Sequence, residues 1–115
     1  MQDGAIEQYA IEHYEAAGEL FKALSSPIRL AIVDLLATQP RYVHQLVELT
    51  GLTQPLVSQH LRVLRLAGVV RGVRQSREIA YALLDDHVAH IVRDALAHSG
   101  ENWHSAPESD SSSAA

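Results

Sequence analysis

The stretch that most restricts the fold of this chain is VHQLVELTGLTQPLVSQHLRVLRLAG, residues 43–68. It reads as a short helix, a turn at Gly51, and a second helix opened at Thr53 or Gln54 and ended at Gly68. In the second helix Val57, Leu61 and Leu64 recur at i, i+4 and i+7, which predicts one buried face. Gln54, Ser58, Arg62 and Arg65 fall on the opposite side as a polar, basic stripe. A helix divided in this way packs one side against a brace and presents hydrogen-bonding side chains on the other. A helix-turn-helix needs that division, because its second helix enters the major groove of DNA. A structural helical hairpin with a solvated polar face satisfies the same periodicity, so the flanking sequence has to separate the two.

Upstream, residues 5–24 (AIEQYAIEHYEAAGELFKAL) place apolar positions at helical spacing among good helix formers. A second helix starts at SSPIRLAIVDLLAT, with Ser26 as N-cap and Pro27 at the first helical position. Ile28, Ala31, Ile32, Leu35 and Leu36 form its predicted buried stripe, and Pro40 closes it. Downstream of Gly68, VVRGVRQSREIAYALL changes to strand-like residues around RQSR and predicts a two-stranded β-hairpin. Residues 86–99 return to helical spacing with Val88, Ile91, Val92, Ala95 and Leu96 on the apolar side. The Ser-rich, acidic SAPESDSSSAA at 105–115 predicts a disordered tail. Helix, helix, helix-turn-helix, hairpin, helix is the order of a winged helix, a mainly α member of the α+β class.

The net charge of −5 looks unfavourable for nucleic acid, but its distribution is uneven. Within residues 41–77, Arg41, Arg62, Arg65, Arg71, Arg74 and Arg77 face a single acid, Glu48. Elsewhere Lys22, Arg29 and Arg93 are set against thirteen acids. One basic surface in an acidic frame favours the DNA-reading alternative. Gln54, Ser58, Gln59, His60 and Arg62 then reach base edges or phosphates, and Gln and Arg suit bidentate base recognition. Arg74 and Arg77 at the hairpin tip meet the sugar–phosphate backbone. No apolar run approaches the roughly 18 residues of a membrane span, and MQDGAIEQYAIEHYE is too acidic for a signal peptide, so a cytoplasmic protein is expected.

The segments LFKALSSPIRLAIVDLL, VHQLVELTGLTQPLVSQHLRVLRLAGVV and REIAYALLDDHVAHIV resemble the ArsR/SmtB family of bacterial metal-sensing repressors over roughly residues 17–101. The resemblance implies a homodimeric winged helix that binds a partly palindromic operator and leaves it when metal binds. It implies that Ser58, Gln59 and His60 lie on the recognition helix and that Arg74 to Arg77 form the wing. Residues 1–104 are then one DNA-binding and dimerisation domain whose last helix serves dimerisation.

Four of the seven histidines gather in LLDDHVAHIVRDALAHSGENWH. His87 and His98 are eleven residues apart, close to three helical turns, so they share one helix face yet stand about 16 Å apart along it. Zinc holds imidazole nitrogens at about 2.1 Å, so two such ligands lie within about 4 Å of each other. One copy of the helix cannot close that site, whereas two antiparallel copies close it twice by twofold symmetry. Asp85 and His87 at one end with His98 and Glu101 at the other supply two imidazoles and two carboxylates, a tetrahedral shell for zinc. In the family, the pattern Asp-x-His, ten residues, His-x-x-Glu or His marks the C-terminal-helix metal site, and Asp85, His87, His98 and Glu101 match it. His90 with Asp94 forms a rival single-chain grouping, and His104 would extend the shell towards six-coordinate nickel or cobalt. With no cysteine in the chain, thiolate sensing of arsenic, cadmium or lead is not expected, and His13 and His44 read as surface residues. Four protein ligands leave no open position for a reactive water, so a zinc hydrolase is not expected, and no enzyme activity or organic cofactor is expected.

Overall fold

The computed structural model describes residues 10–114, with side chains described over residues 10–100. The elements follow in the order α1 (Ile11–Leu24), α2 (Pro27–Thr38), β1 (Arg41–Tyr42), α3 (Val43–Thr50), α4 (Gln54–Leu66), β2 (Val70–Gln75), β3 (Glu78–Leu83) and α5 (His87–Ala114). The winged helix expected from the sequence is present, and its sheet holds a third strand that the sequence did not announce. The sheet is antiparallel in the order β1-β3-β2.

The first helix was expected from residue 5, and residues 5–9 lie outside the described residues. At α2 the Ser26 hydroxyl accepts the Arg29 backbone N–H at 3.3 Å, with Pro27 as the first helical residue. The cap therefore satisfies one of the orphan donors that every helix start leaves open. Ile32 and Val33 are fully buried and Leu36 nearly so, whereas Ala31 is exposed. Val33 takes the place predicted for Ala31 because α2 is the central helix. It packs against α1, α3, α4, β3 and α5 together, which turns and widens its buried arc.

The helix-turn-helix forms as its punctuation predicts. Gln45 Oε1 reaches back to accept the Tyr42 N–H at 2.8 Å at the start of α3. Gly51 closes α3 at φ +75, a left-handed conformation that costs glycine little and a β-carbon much. In α4, Val57, Leu61 and Leu64 are at most 1% exposed and enter one core with Ile32, Val33, Leu36, Leu46 and Val92.

The wing pairs Val70 with Leu83 through to Gln75 with Glu78, so Ser76 and Arg77 form a two-residue turn. Ser76 is at φ +62. The turn is centred one residue later than RQSR implied, and it leaves Arg77 at the tip. Gly72 lies opposite Tyr81, and a β-carbon there would stand 2.8 Å from Ile79 Cγ2 and 3.3 Å from the Tyr81 ring. The Ile79 and Tyr81 side chains thus occupy the space that a β-carbon at position 72 would need.

Strand β1 pairs Arg41 with Tyr81 and Tyr42 with Ala80. The Arg41 guanidinium donates to the Leu35 carbonyl at 3.1 Å and to Thr38 Oγ1 at 2.8 Å. One of the six arginines in the basic segment thus closes the C-terminal end of α2, where a cation is favoured.

Helix α5 returns to the core through Val88, Ala89 and Val92. Ala95 and Leu96, predicted on the same apolar side, are exposed, because α5 runs past the core of its own chain. Ile11, Tyr14 and Phe21 of α1 are exposed as well. Among the described residues no helix is long and apolar enough to cross a membrane.

Candidate nucleic-acid interface and metal centre

Helix α4 presents Gln54, Ser58, Gln59, Arg62 and Arg65 to solvent on the side opposite its buried leucines. The wing exposes Arg71, Arg74 and Arg77. Gln54 at the start of α4 and Arg77 at the wing tip line one cleft with Val43, His44, Glu78 and Ile79. The first turn of the recognition helix and the wing arginine therefore face a common space, as a groove reader and its flanking backbone contact require.

Two polar links hold the wing in that position, and neither was anticipated. The Tyr42 hydroxyl donates to Gln75 Oε1 at 2.8 Å, and His44 Nε2 lies 3.2 Å from Glu78 Oε1. Gln75 and Glu78 bracket the wing turn, while the Tyr42 and His44 rings stack at 5.7 Å and 13°. His44 is the surface residue that the sequence led us to expect, but its partner is the wing. Both ion-pair members are more than half exposed, so the pair orients the wing more than it stabilises the fold.

His60 departs from the rest of the predicted DNA-facing set. It is half-buried, with Nδ1 3.2 Å from Arg29 Nη1. Desolvation first, and the Arg29 charge second, hold its pKa below the ordinary 6.5.

Asp85 and His87 meet where α5 begins. Asp85 Oδ1 accepts the His87 backbone N–H at 2.9 Å and stands 3.4 Å from His87 Nδ1. The aspartate thus caps the helix and holds the imidazole beside its own oxygen. His87 is 88% exposed, so the oxygen and nitrogen of this pair are open to an incoming ligand. His98 is also exposed, eleven residues on, within about 20° of His87 around the helix and about 16 Å along it. Asp94 shares that face, and His90 is exposed beside it. The side chains of Glu101 and His104 lie outside the described side chains, and the backbone of α5 runs on to Ala114, through residues 105–114 that were expected to form a disordered tail. Among the described residues no three His, Cys, Asp or Glu side chains group closely enough to hold a metal ion within one chain. The described donors are carboxylate oxygen and imidazole nitrogen, a set whose chemistry would suit zinc, nickel or cobalt.

Residues 26–71 match the family described as bacterial regulatory protein, arsR family. The HTH-type transcriptional repressor SmtB of Mycobacterium tuberculosis is 55% identical over 91 residues, which cover 79% of this chain and 67% of that protein. The chain belongs to the ArsR family. A second ArsR-type relative, the HTH-type transcriptional regulator NmtR of the same organism, is 45% identical over 78 residues, 68% of this chain and 65% of that protein. Among solved structures, the homodimeric winged helix-turn-helix DNA-binding domain Mb0332 from Mycobacterium bovis superposes with a TM-score of 0.70 at 26% identity. The overlap covers 88% of this chain and 89% of that one. As an ArsR-family protein the chain is a transcriptional regulator and not an enzyme.

Proposed function

We propose that this ArsR-family regulator is a metal-sensing repressor that acts in the cytoplasm as a homodimer, binding operator DNA when metal-free and releasing it when zinc fills two sites shared between the subunits. The observation that carries the reading is the disposition of α5. An exposed Asp85–His87 pair and an exposed His98 share one helix face about 16 Å apart, a distance no single metal ion bridges. An antiparallel second copy brings its own His98 and Glu101 to Asp85 and His87, and does so twice. Two carboxylates neutralise the divalent ion, and four ligands suit tetrahedral zinc better than six-coordinate nickel or cobalt. The exposed Leu96, Ile11 and Phe21 on α5 and α1 supply apolar area for that pairing, and the similar Mb0332 domain is a homodimer.

In this reading Gln54, Ser58, Gln59 and Arg62 contact the major groove, half-buried His60 braces α4 against Arg29 instead, and Arg74 and Arg77 contact phosphates beside the groove. The two recognition helices must match half-sites about one helical turn, roughly 34 Å, apart. Zinc bound across the interface favours the subunit arrangement that it joins, and so shifts the population away from the DNA-binding arrangement. By reciprocity, operator DNA weakens zinc binding by the same factor.

Mixing subunits tests the shared site. The His87→Ala and His98→Ala homodimers each lack one imidazole from both sites. A heterodimer of one His87→Ala and one His98→Ala subunit keeps one complete site and loses both imidazoles from the other. Zinc binding that is weak in each variant and recovers to one ion per mixed dimer is the expected result. Full-strength binding by either variant alone, or no recovery on mixing, contradicts a site built from two chains.

A further inference from the structure

Arg29 is a half-buried cation with no carboxylate partner among the described residues. Its Nε donates to the Ala23 carbonyl in the last turn of α1, and its Nη1 lies 3.2 Å from His60 Nδ1 on α4. Both partners are uncharged groups. Nη2, with its N–H donors, has no hydrogen-bond partner among the described residues. Charges drawn out of water are ordinarily paired, so a guanidinium held at this depth without an anion is the exception to explain.

That guanidinium lines a cleft of about 530 Å³ between α1 and α4, a volume within the range of small-molecule sites. Helix α4 contributes an apolar wall of Val63, Leu66 and Ala67, and α1 contributes Glu19 and Lys22. Val63 and Ala67 stand roughly 140–180° around α4 from Gln54, Ser58 and Arg65, so the cleft is separate from the polar stripe. Leu66 is 69% exposed beside it, which leaves apolar area that its own chain does not cover. Lys22 and Arg29 against Glu19 give the cleft a single net positive charge. We propose that this cleft binds a small organic monoanion, its carboxylate on Arg29 Nη2 and Lys22 and its apolar body against Val63, Leu66 and Ala67.

Each part of the cleft selects one feature of such a ligand. The guanidinium carries only donors in a planar fork, which matches a carboxylate. Glu19 repels further negative charge and so favours a monoanion over a polyanion. The α4 wall rewards a hydrocarbon body that leaves water, which a simple inorganic anion lacks. The site shares no residue with the proposed zinc ligands or with the predicted DNA contacts, so it stands whether or not zinc is the signal.

Calorimetric titration of the full chain, without DNA or added metal, tests the site with benzoate and octanoate as probes. Benzamide serves as the neutral counterpart of benzoate, and phosphate as an anion without an apolar body. At least one of the two carboxylates should bind once per chain and shift the nuclear magnetic resonance signals of His60 and Ala67. Its uncharged amide should bind at least tenfold more weakly, the scale of one hydrogen bond to a charged group, and phosphate should not bind. Arg29→Met should weaken the carboxylate by at least tenfold. Ala67→Phe keeps the guanidinium but fills the cleft, and should abolish binding. Glu19→Gln removes the repelling charge and should tighten binding several-fold, a gain that a damaged fold does not produce. If Arg29→Met does not fold, Ala67→Phe and Glu19→Gln decide. The proposal is overturned if neither carboxylate binds, if the amide binds equally well (an apolar patch only), or if phosphate does (a basic patch only). Binding unchanged by Ala67→Phe or not tightened by Glu19→Gln overturns it as well. So does binding that fades as protomer concentration rises, because a second copy then covers the cleft.

Discussion

Replacing Leu61 and Arg62 one at a time tests whether α4 is two-faced in energy as well as in geometry. Leu61 is 1% exposed within the core, while its neighbour Arg62 is exposed on the opposite side. Leu61→Ala removes three carbons from a site with no solvent access, a transfer loss of roughly 2.4 kcal/mol at about 0.8 kcal/mol per methylene. The cavity left behind adds to this, so the expected cost is about 2.5–4.5 kcal/mol, within the range for buried leucines. At fixed protomer concentration that lowers Tm by more than 10 °C, from about 4–8 °C per kcal/mol for a domain near this size. Arg62→Ala leaves no cavity and should change stability by no more than about 0.5 kcal/mol. Its effect falls on DNA: about tenfold weaker binding if it reads a base, with a salt slope reduced by about 0.9 if it meets a phosphate. Urea denaturation gives the first quantity and duplex anisotropy at several salt concentrations gives the second. A Leu61→Ala cost below about 1 kcal/mol, or an Arg62→Ala cost that rivals it, refutes the division of the helix into a packed and a reading face.

Two further outcomes follow from the links around the wing and His60. Tyr42→Phe removes the hydroxyl that holds Gln75, so the wing loosens: duplex affinity should fall several-fold with stability changed by less than about 1 kcal/mol, and unchanged affinity would show that the link is idle. His60 has a folded-state pKa lowered from 6.5, so the unfolded chain binds the proton more readily. The stability contributed by neutral His60 is thus present above pH 6.5 and lost as pH falls below it. His60→Gln should flatten that part of the stability–pH curve, and an unchanged curve would rule the linkage out.

The recognition helix was legible because its information is local. Val57, Leu61 and Leu64 repeat within two turns, and Ser26, Pro27 and Gly51 punctuate their helices through short-range backbone needs. The spacing of His87 and His98 was legible for the same reason, since helical rise alone separates them. Strand β1 was not legible: two residues carry no periodicity, and Arg41 and Tyr42 become a strand only by pairing with Tyr81 and Ala80. Ala31 was misplaced because the number of neighbours around α2, not its own sequence, sets the width of its buried face. The contact that Arg29 makes with α4 was invisible because its partner His60 is 31 positions away. Arg41 misled in the opposite sense, counting towards a basic surface while it closes a helix end. In each case the missing information was a contact between distant segments.

The central claim is that DNA and zinc compete through the two ligand pairs that α5 carries, Asp85 with His87 and His98 with Glu101. It is tested by fluorescence anisotropy of a selected duplex, titrated with zinc in the presence of the wild-type chain and of His98→Ala. The wild type should bind tightly without metal and release the duplex as zinc is added, while His98→Ala should bind equally well and stay bound. Zinc that tightens the wild-type complex, or a His98→Ala variant that releases DNA as the wild type does, would contradict the account.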